Sequence, residues 1–283
     1  MTGIEGAVDR IEHERHRLAR RAKQWIPPQH GAWAFLAVPL VMGFGLAGFS
    51  ARGGLFAIAW VAAYPCGYFA GRAVRAWLRR RKSLLAGYPS SLAKRESRVA
   101  AGWAVPIAIC GLPLVAIEPW LIGVLVLMAG LWAVNVRLAW LGMERSLGND
   151  LVLVAEAVIA VPLFWMVTSG DPILAAVPGR VWLAAGVCAV YFAGSVVHVK
   201  SLIRKRRDDR WRTADVAYHG VAAVVMTLVS VWLVVPFGAA LARSVALRPG
   251  ERPAVIGSVE IGVSVLVVVF GLLATRWGVG LWT

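Results

Sequence analysis

The chain has 283 residues, 59% of them hydrophobic and only 16% charged, with 14 tryptophans and a mean hydropathy of +0.68. Thirty Lys and Arg against 15 Asp and Glu give a formal charge of +15, yet the basic residues are parted by long uncharged apolar runs. That pattern excludes a nucleic-acid-binding domain, a disordered chain and a secreted disulfide scaffold, and leaves a polytopic helical protein of the inner membrane.

Residues 1–24 carry Arg10, Arg15, Arg17, Arg20, Arg21 and Lys23 among acids, with no apolar stretch ahead of a cleavage site. They are expected to form a charged cytoplasmic helix rather than a signal peptide. Eight apolar runs then follow, each long enough to cross about 30 Å of hydrocarbon as a helix: 31–50, 53–71, 99–117, 119–141, 150–168, 180–198, 215–236 and 254–275. No period-two alternation extends over such lengths, so a membrane β-barrel is disfavoured. A ninth crossing arises if 237–247 enters the bilayer; its short length and Arg243 favour a surface helix, which makes eight the working count.

With the N-terminus inside, 25 Lys and Arg fall on cytoplasmic segments and five (Arg52, Arg180, Arg243, Arg248, Arg252) on the other side. Cytoplasmic loops retain positive charge, so both termini are expected in the cytoplasm. Trp25, Trp77, Trp120, Trp140 and Trp277 stand near span ends, as interfacial anchors do. Cys66, Cys110 and Cys188 all lie within spans without a CxxC pair and read as small apolar packing residues.

The chain also resembles itself. Ala37-Val38-Pro39-Leu40 recurs as Ala160-Val161-Pro162-Leu163, and Tyr68-Phe69-Ala70-Gly71 as Tyr191-Phe192-Ala193-Gly194, both at an offset of 123 that also relates Pro113 to Pro236. The offset maps spans 1, 2 and 3 onto 5, 6 and 7. It predicts two parallel four-span halves, 25–141 and 142–283, related by an axis along the membrane normal. The second spans of both halves run into basic loops: Arg79-Arg80-Arg81-Lys82 and Arg204-Lys205-Arg206-Arg207.

Ionisable groups inside membrane helices are costly and mark candidate sites. His30, Asn135, Arg137, Glu156, His198, Lys200 and His219 all fall within roughly 10 Å of the cytoplasmic boundary at 1.5 Å rise per residue. The loop Glu144-Arg145-Ser146-Leu147-Gly148-Asn149-Asp150 lies over them, and Glu260 stands apart towards the outer face. His30, Glu156, Asp150 and His198 are the candidate acid–base groups. Arg72, Arg75, Asn135, Arg137, Glu144, Arg145, Asn149, Lys200 and His219 are candidate substrate contacts, where cations suit an anion such as a phosphate. Against these stand plainer roles: Arg72 and Arg75 as topology determinants, Asn149-Asp150 as a helix N-cap, and Lys200 snorkelling to headgroups.

The segment Ile26-Pro27-Pro28-Gln29-His30-Gly31-Ala32-Trp33-Ala34, followed by Val38-Pro39-Leu40, resembles the opening signature of the YwiC-like bacterial membrane proteins. Glu144-Arg145-Ser146-Leu147 with Asn149-Asp150, and Gly194-Ser195-Val196 with Val199-Lys200, resemble that family's later motifs, so the likeness spans about 25–240. The duplicated architecture is more distantly similar to the UbiA-type prenyltransferases, which hold Mg²⁺ on Asp-rich motifs after spans 2 and 6. Here the 79–98 loop offers only Glu96, and Asp208, Asp209 and Asp215 lack the expected spacing, so Mg²⁺ is not implied.

Two functions are therefore expected to compete. One is an intramembrane enzyme or binding protein for an anionic lipid or polyprenyl phosphate. The other is a transporter of a small anion or metabolite, proton-coupled through Glu156 and Glu260. Haem on His30, His198 and His219 is a weaker third reading, and no nucleic-acid partner is expected.

Overall fold

A computed structural model describes residues 24–28, 30–82 and 90–277. The N-terminal segment to Lys23, Gln29, the 83–89 stretch and residues 278–283 lie outside it, as do the side chains of His30 and of the Arg79–Lys82 run. Among the described residues the chain is helical, with no strand: α1 (His30–Ala47), α2 (Ala51–Lys82), α3 (Ser90–Ile117), α4 (Leu121–Trp140), α5 (Leu147–Val158), α6 (Ala160–Ser169), α7 (Gly179–Val199), α8 (Asp209–Val229), α9 (Val234–Ala246) and α10 (Pro253–Trp277). Six stretches are long and apolar enough to cross a membrane: Ala51–Leu78, Ser91–Ile117, Leu121–Trp140, Leu147–Ser169, Gly179–Arg204 and Pro253–Trp277, with Trp33–Ala47 and Val231–Ala246 as shorter apolar helices.

Helix α1 is the hub. It packs on α6, α7 and α10, and small residues set the crossings. A Cβ on Gly43 would stand 2.9 Å from Phe164 on α6, and one on Gly45 would stand 2.6 Å from Leu272 on α10. The two Val-Pro-Leu segments thus meet in the core: Val38 and Val161 share one apolar cluster, Leu40 and Leu163 another. Helices α2 and α3 form a long pair at one side, and α4 beyond them buries little of its surface. Trp25 lies on α3, where Gly102 leaves room for its ring and Trp103 Nε1 donates to its carbonyl at 2.8 Å.

The fifth apolar run is broken at Ile159, giving α5 and α6. Its N-cap is Ser146, whose Oγ accepts from the Asn149 amide at 3.2 Å, rather than the expected Asn149-Asp150. The hydroxyl sits three residues ahead of the amide that needs an acceptor, the spacing a cap requires.

The largest departure from the sequence reading is in the last quarter. Ser230 leaves the helix in an extended conformation (φ −159°, ψ 135°), and after a short turn of 3-10 helix α9 runs back along α8. Arg212 Nη2 donates to the Val245 carbonyl at 2.9 Å, so the start of α8 and the end of α9 are neighbours. Helix α10 reverses again: Glu260 lies beside Ser195, while Trp277 at its far end meets Trp232 with ring centroids 6.3 Å apart. The eight-span scheme set Arg243 and Glu260 on the side opposite His198 and His219; the fold brings all four together. Hydropathy missed the return because Arg243 made 237–247 look too polar to be buried, whereas its charge is paired inside. The reversal also separates the third repeat pair, since Pro113 is inside α3 and Pro236 opens a helix running the other way.

Candidate functional site

The polar centre lies where α7, α8, α9 and α10 meet. Tyr191, Ser195 and His198 follow one another at four- and three-residue spacing on α7, and Asp215 and His219 are four apart on α8, so each helix turns its polar residues to one face. Glycine makes the approach: a Cβ on Gly194 would stand 2.8 Å from Tyr218 and 2.9 Å from His219 Nε2.

Asp215, with no exposed side-chain surface, is the anchor. Its Oδ2 accepts from His198 Nδ1 at 2.8 Å and lies 3.0 Å from Ser201 Oγ and 3.5 Å from Arg212 Nη1. His219 Nδ1 stands 2.8 Å from the Asp215 carbonyl and 3.1 Å from Oδ1. Because acceptors face both Nδ1 atoms, each neutral ring carries its proton there and turns the Nε2 lone pair inward. His219 Nε2 lies 3.4 Å from Arg243 Nη2. His198 Nε2 is buried without a hydrogen-bond partner among the described residues, 4.0 Å from Glu260 Oε1.

Arg243 and Glu260 close the cluster. They form a buried ion pair through Nη1 and Oε1, Nη2 donates to Ser195 Oγ at 3.1 Å, and the guanidinium sits 5.5 Å from the Tyr191 ring centre. Glu260 Oε2 accepts from Ser195 Oγ at 2.9 Å and lies 3.4 Å from the Tyr191 hydroxyl, which is also 2.9 Å from Ser264 Oγ. Charges of both signs are therefore matched, as burial in a low-dielectric interior demands. The Nε2 faces of His198 and His219, ring centres 5.9 Å apart, look onto Arg243 and Glu260. Among the described residues no group of three or more His, Cys, Asp or Glu is arranged to hold a metal ion.

The other candidates fall into separate groups. Glu156 Oε1 accepts from Asn135 Nδ2 at 2.8 Å, an amide on α4. Lys200 is buried, bonded to Asp150 at 2.6 Å and to the Arg145 carbonyl at 2.7 Å, with Arg204 3.7 Å from the same carboxylate. It is thus a buried clasp between α5 and the end of α7, not a snorkelling side chain. Asn149 Nδ2 donates to the Glu144 carbonyl at 3.1 Å, and Arg137, Glu144 and Arg145 are exposed. Arg72 pairs with Glu96 at 3.2 Å and donates to Tyr68 at 3.1 Å, with Arg75 half-buried one turn on. Glu96, read from sequence as a loop acid, is inside α3 and buried. His30 opens α1, its side chain outside the described ones. Of the four acid–base candidates, the three with described side chains, Glu156, Asp150 and His198, each answer to a different partner.

Sequence reasoning missed Asp215, Arg243, Glu260, Ser195 and Tyr191 as members of one site. The Asp215–His219 and Tyr191–Ser195 spacings were the available signal. Arg243 and Glu260 were hidden by the unrecognised helix reversal.

A bundle of apolar helices with buried charges at its centre defines a polytopic membrane protein. Residues 26–165 match the family model described as YwiC-like protein. The match includes the opening signature and the Glu144 to Asp150 motif; it ends inside α6, short of the 194–200 motif and of the buried centre. No curated protein and no solved structure matches the chain.

Proposed function

We propose that the protein is a proton-linked transporter whose proton relay is Asp215, His198 and Glu260. The observation that carries this reading is a run of buried ionisable groups joined across four helices, ending on an unpartnered His198 Nε2 that faces a carboxylate. A histidine fixed by Asp215 at one nitrogen and open at the other takes a proton at Nε2 and hands it on without moving its ring. Glu260, 4.0 Å away, is the receiving group, and it retains 16% of its side-chain surface, which gives the relay an outlet. An enzyme acting on lipid phosphates is less well supported, because Lys200 is already neutralised by Asp150 and Arg72 by Glu96.

In this reading 231–246 is a ninth crossing, the N-terminus is cytoplasmic and the C-terminus is on the far side. That assignment moves Arg243, Arg248 and Arg252 to the cytoplasmic face and Arg276 to the other, so the Lys and Arg split sharpens from 25:5 to 27:3. A cysteine placed at Arg248 is then shielded from a membrane-impermeant maleimide in intact cells and labelled after permeabilisation. Purified protein in liposomes with an entrapped pH dye should pass protons when a solute gradient is imposed, and His198→Gln should abolish the signal. Labelling of the 248 position in intact cells overturns the nine-crossing assignment. A His198→Gln variant with unchanged proton movement overturns the relay.

A further inference from the structure

The transporter reading names no solute, but the residues around Glu260 define one chemically. Its carboxylate sits in a three-sided cradle: Oε1 against the Arg243 guanidinium, and Oε2 on Ser195 Oγ at 2.9 Å and near the Tyr191 hydroxyl at 3.4 Å. The donors are drawn from α7 and α9, and they hold a carboxylate contributed by α10. Among the described residues Arg243 Nε has no hydrogen-bond partner although the residue is buried, so the guanidinium has a further donor to give. An arginine fork with two hydroxyls is a recognised way of holding a planar, two-oxygen anion.

We infer, resting on that transporter reading, that this cradle is the solute site, that the solute is a small monocarboxylate, and that it takes the place of the Glu260 carboxylate once Glu260 is protonated. The charges and atoms balance. His198 Nε2 takes a proton from solution and passes it to Glu260 Oε1, returning to its neutral form; the neutral acid gives up Arg243, and one carboxylate anion enters to restore the pair. The site's net charge is unchanged, so one proton moves with each anion and the cycle is electroneutral. A phosphate dianion would need a second uncommitted cation; Arg212, at the edge of the cluster, is already on Asp215 at 3.5 Å.

The groups that set Glu260's proton affinity are few. Helix α7 presents Tyr191 and His198, α9 presents Arg243, and His219 on α8 stands behind Arg243. Helix α1 has no titratable side chain between Gly31 and Ala47, and neither does the 231–233 turn.

The test uses the purified full chain in detergent, with acetate and benzoate as probes and inorganic phosphate as the comparison anion. In weakly buffered solution with a pH dye, wild type should take up one proton per carboxylate bound. Its affinity should fall towards tenfold per pH unit on the alkaline side. Glu260→Gln should bind without proton uptake and with an affinity that no longer depends on pH. Arg243→Gln should lose binding. Ser195→Ala, which keeps both charges, should weaken binding by about tenfold and guards against a charge variant that fails to fold. In liposomes, uptake should follow a pH gradient and ignore an imposed membrane potential.

Binding without proton uptake, pH-dependent binding retained in Glu260→Gln, or phosphate bound more tightly than either carboxylate overturns the assignment. The two readings fail separately. Protein that moves protons but binds neither carboxylate keeps the relay and loses this site. Protein that binds carboxylate with proton uptake yet conducts nothing in liposomes keeps the cradle and loses transport.

Discussion

Replacing Arg243 with Met keeps most of the side-chain volume and removes the guanidinium. The variant loses the ion pair to Glu260, the bonds to Ser195 and His219, and the stacking on Tyr191, and it leaves a carboxylate in the interior without its cation. With charge centres about 4 Å apart and an effective dielectric of about 20, the lost attraction is about 4 kcal/mol. Measured losses from breaking buried pairs run to about 3–5 kcal/mol, chiefly because the survivor is stranded. The same asymmetry predicts that the double variant Arg243→Met with Glu260→Met is more stable than either single one, by about 2 kcal/mol or more. The 14 tryptophans report unfolding in a mixed-micelle SDS titration. Additive single effects, or an Arg243→Met cost below about 0.5 kcal/mol, refute a buried pair between α9 and α10.

Gly194→Ala puts a methyl 2.9 Å from His219 Nε2 and 2.8 Å from Tyr218, so α8 must shift; destabilisation of about 1–3 kcal/mol is expected in the same titration, together with loss of proton movement in liposomes. Lys200→Met releases the Arg145 carbonyl and Asp150, and tryptic cleavage after the exposed Arg145 should rise several-fold in inside-out vesicles. Asn135→Leu takes away the hydrogen bond that Asn135 gives Glu156; a loss of about 1–3 kcal/mol is expected, reversed in large part by adding Glu156→Gln.

The helical membrane class was legible because long charge-free runs admit no other solution in lipid. Counting residues also placed Asn135, Glu156, His198, Lys200 and His219 at one depth, with the Asp150 loop over them, but it named none of the pairs in which they meet, such as Asn135 with Glu156 and Asp150 with Lys200. What counting could not supply is which helices adjoin. Depth puts residues in a layer, and only packing joins them across it, so His198 found Asp215 rather than Glu156. Hydropathy also treats each charge as a penalty, which holds for an isolated helix and fails where Arg243 and Glu260 neutralise each other. The reversal at Ser230 was thereby concealed, and with it the composition of the site. The Arg72–Glu96 pair shows the same blindness, since a basic residue counted as a topology signal proves to have a buried partner.

The reversal at Ser230 also bears on how the chain is made. Helix α9 has only 13 residues and carries Arg243 in its last turn, so by itself it is a poor candidate for release from the translocation channel into lipid, where an unpaired charge is costly. Its counter-charge arrives on α10, which emerges after it, and α10 also packs on α1, the first described helix. Synthesis and assembly are therefore coupled: the channel must retain α8 and α9 until Glu260 is available. Ribosomes stalled before that codon should leave α9 still crosslinked to the channel.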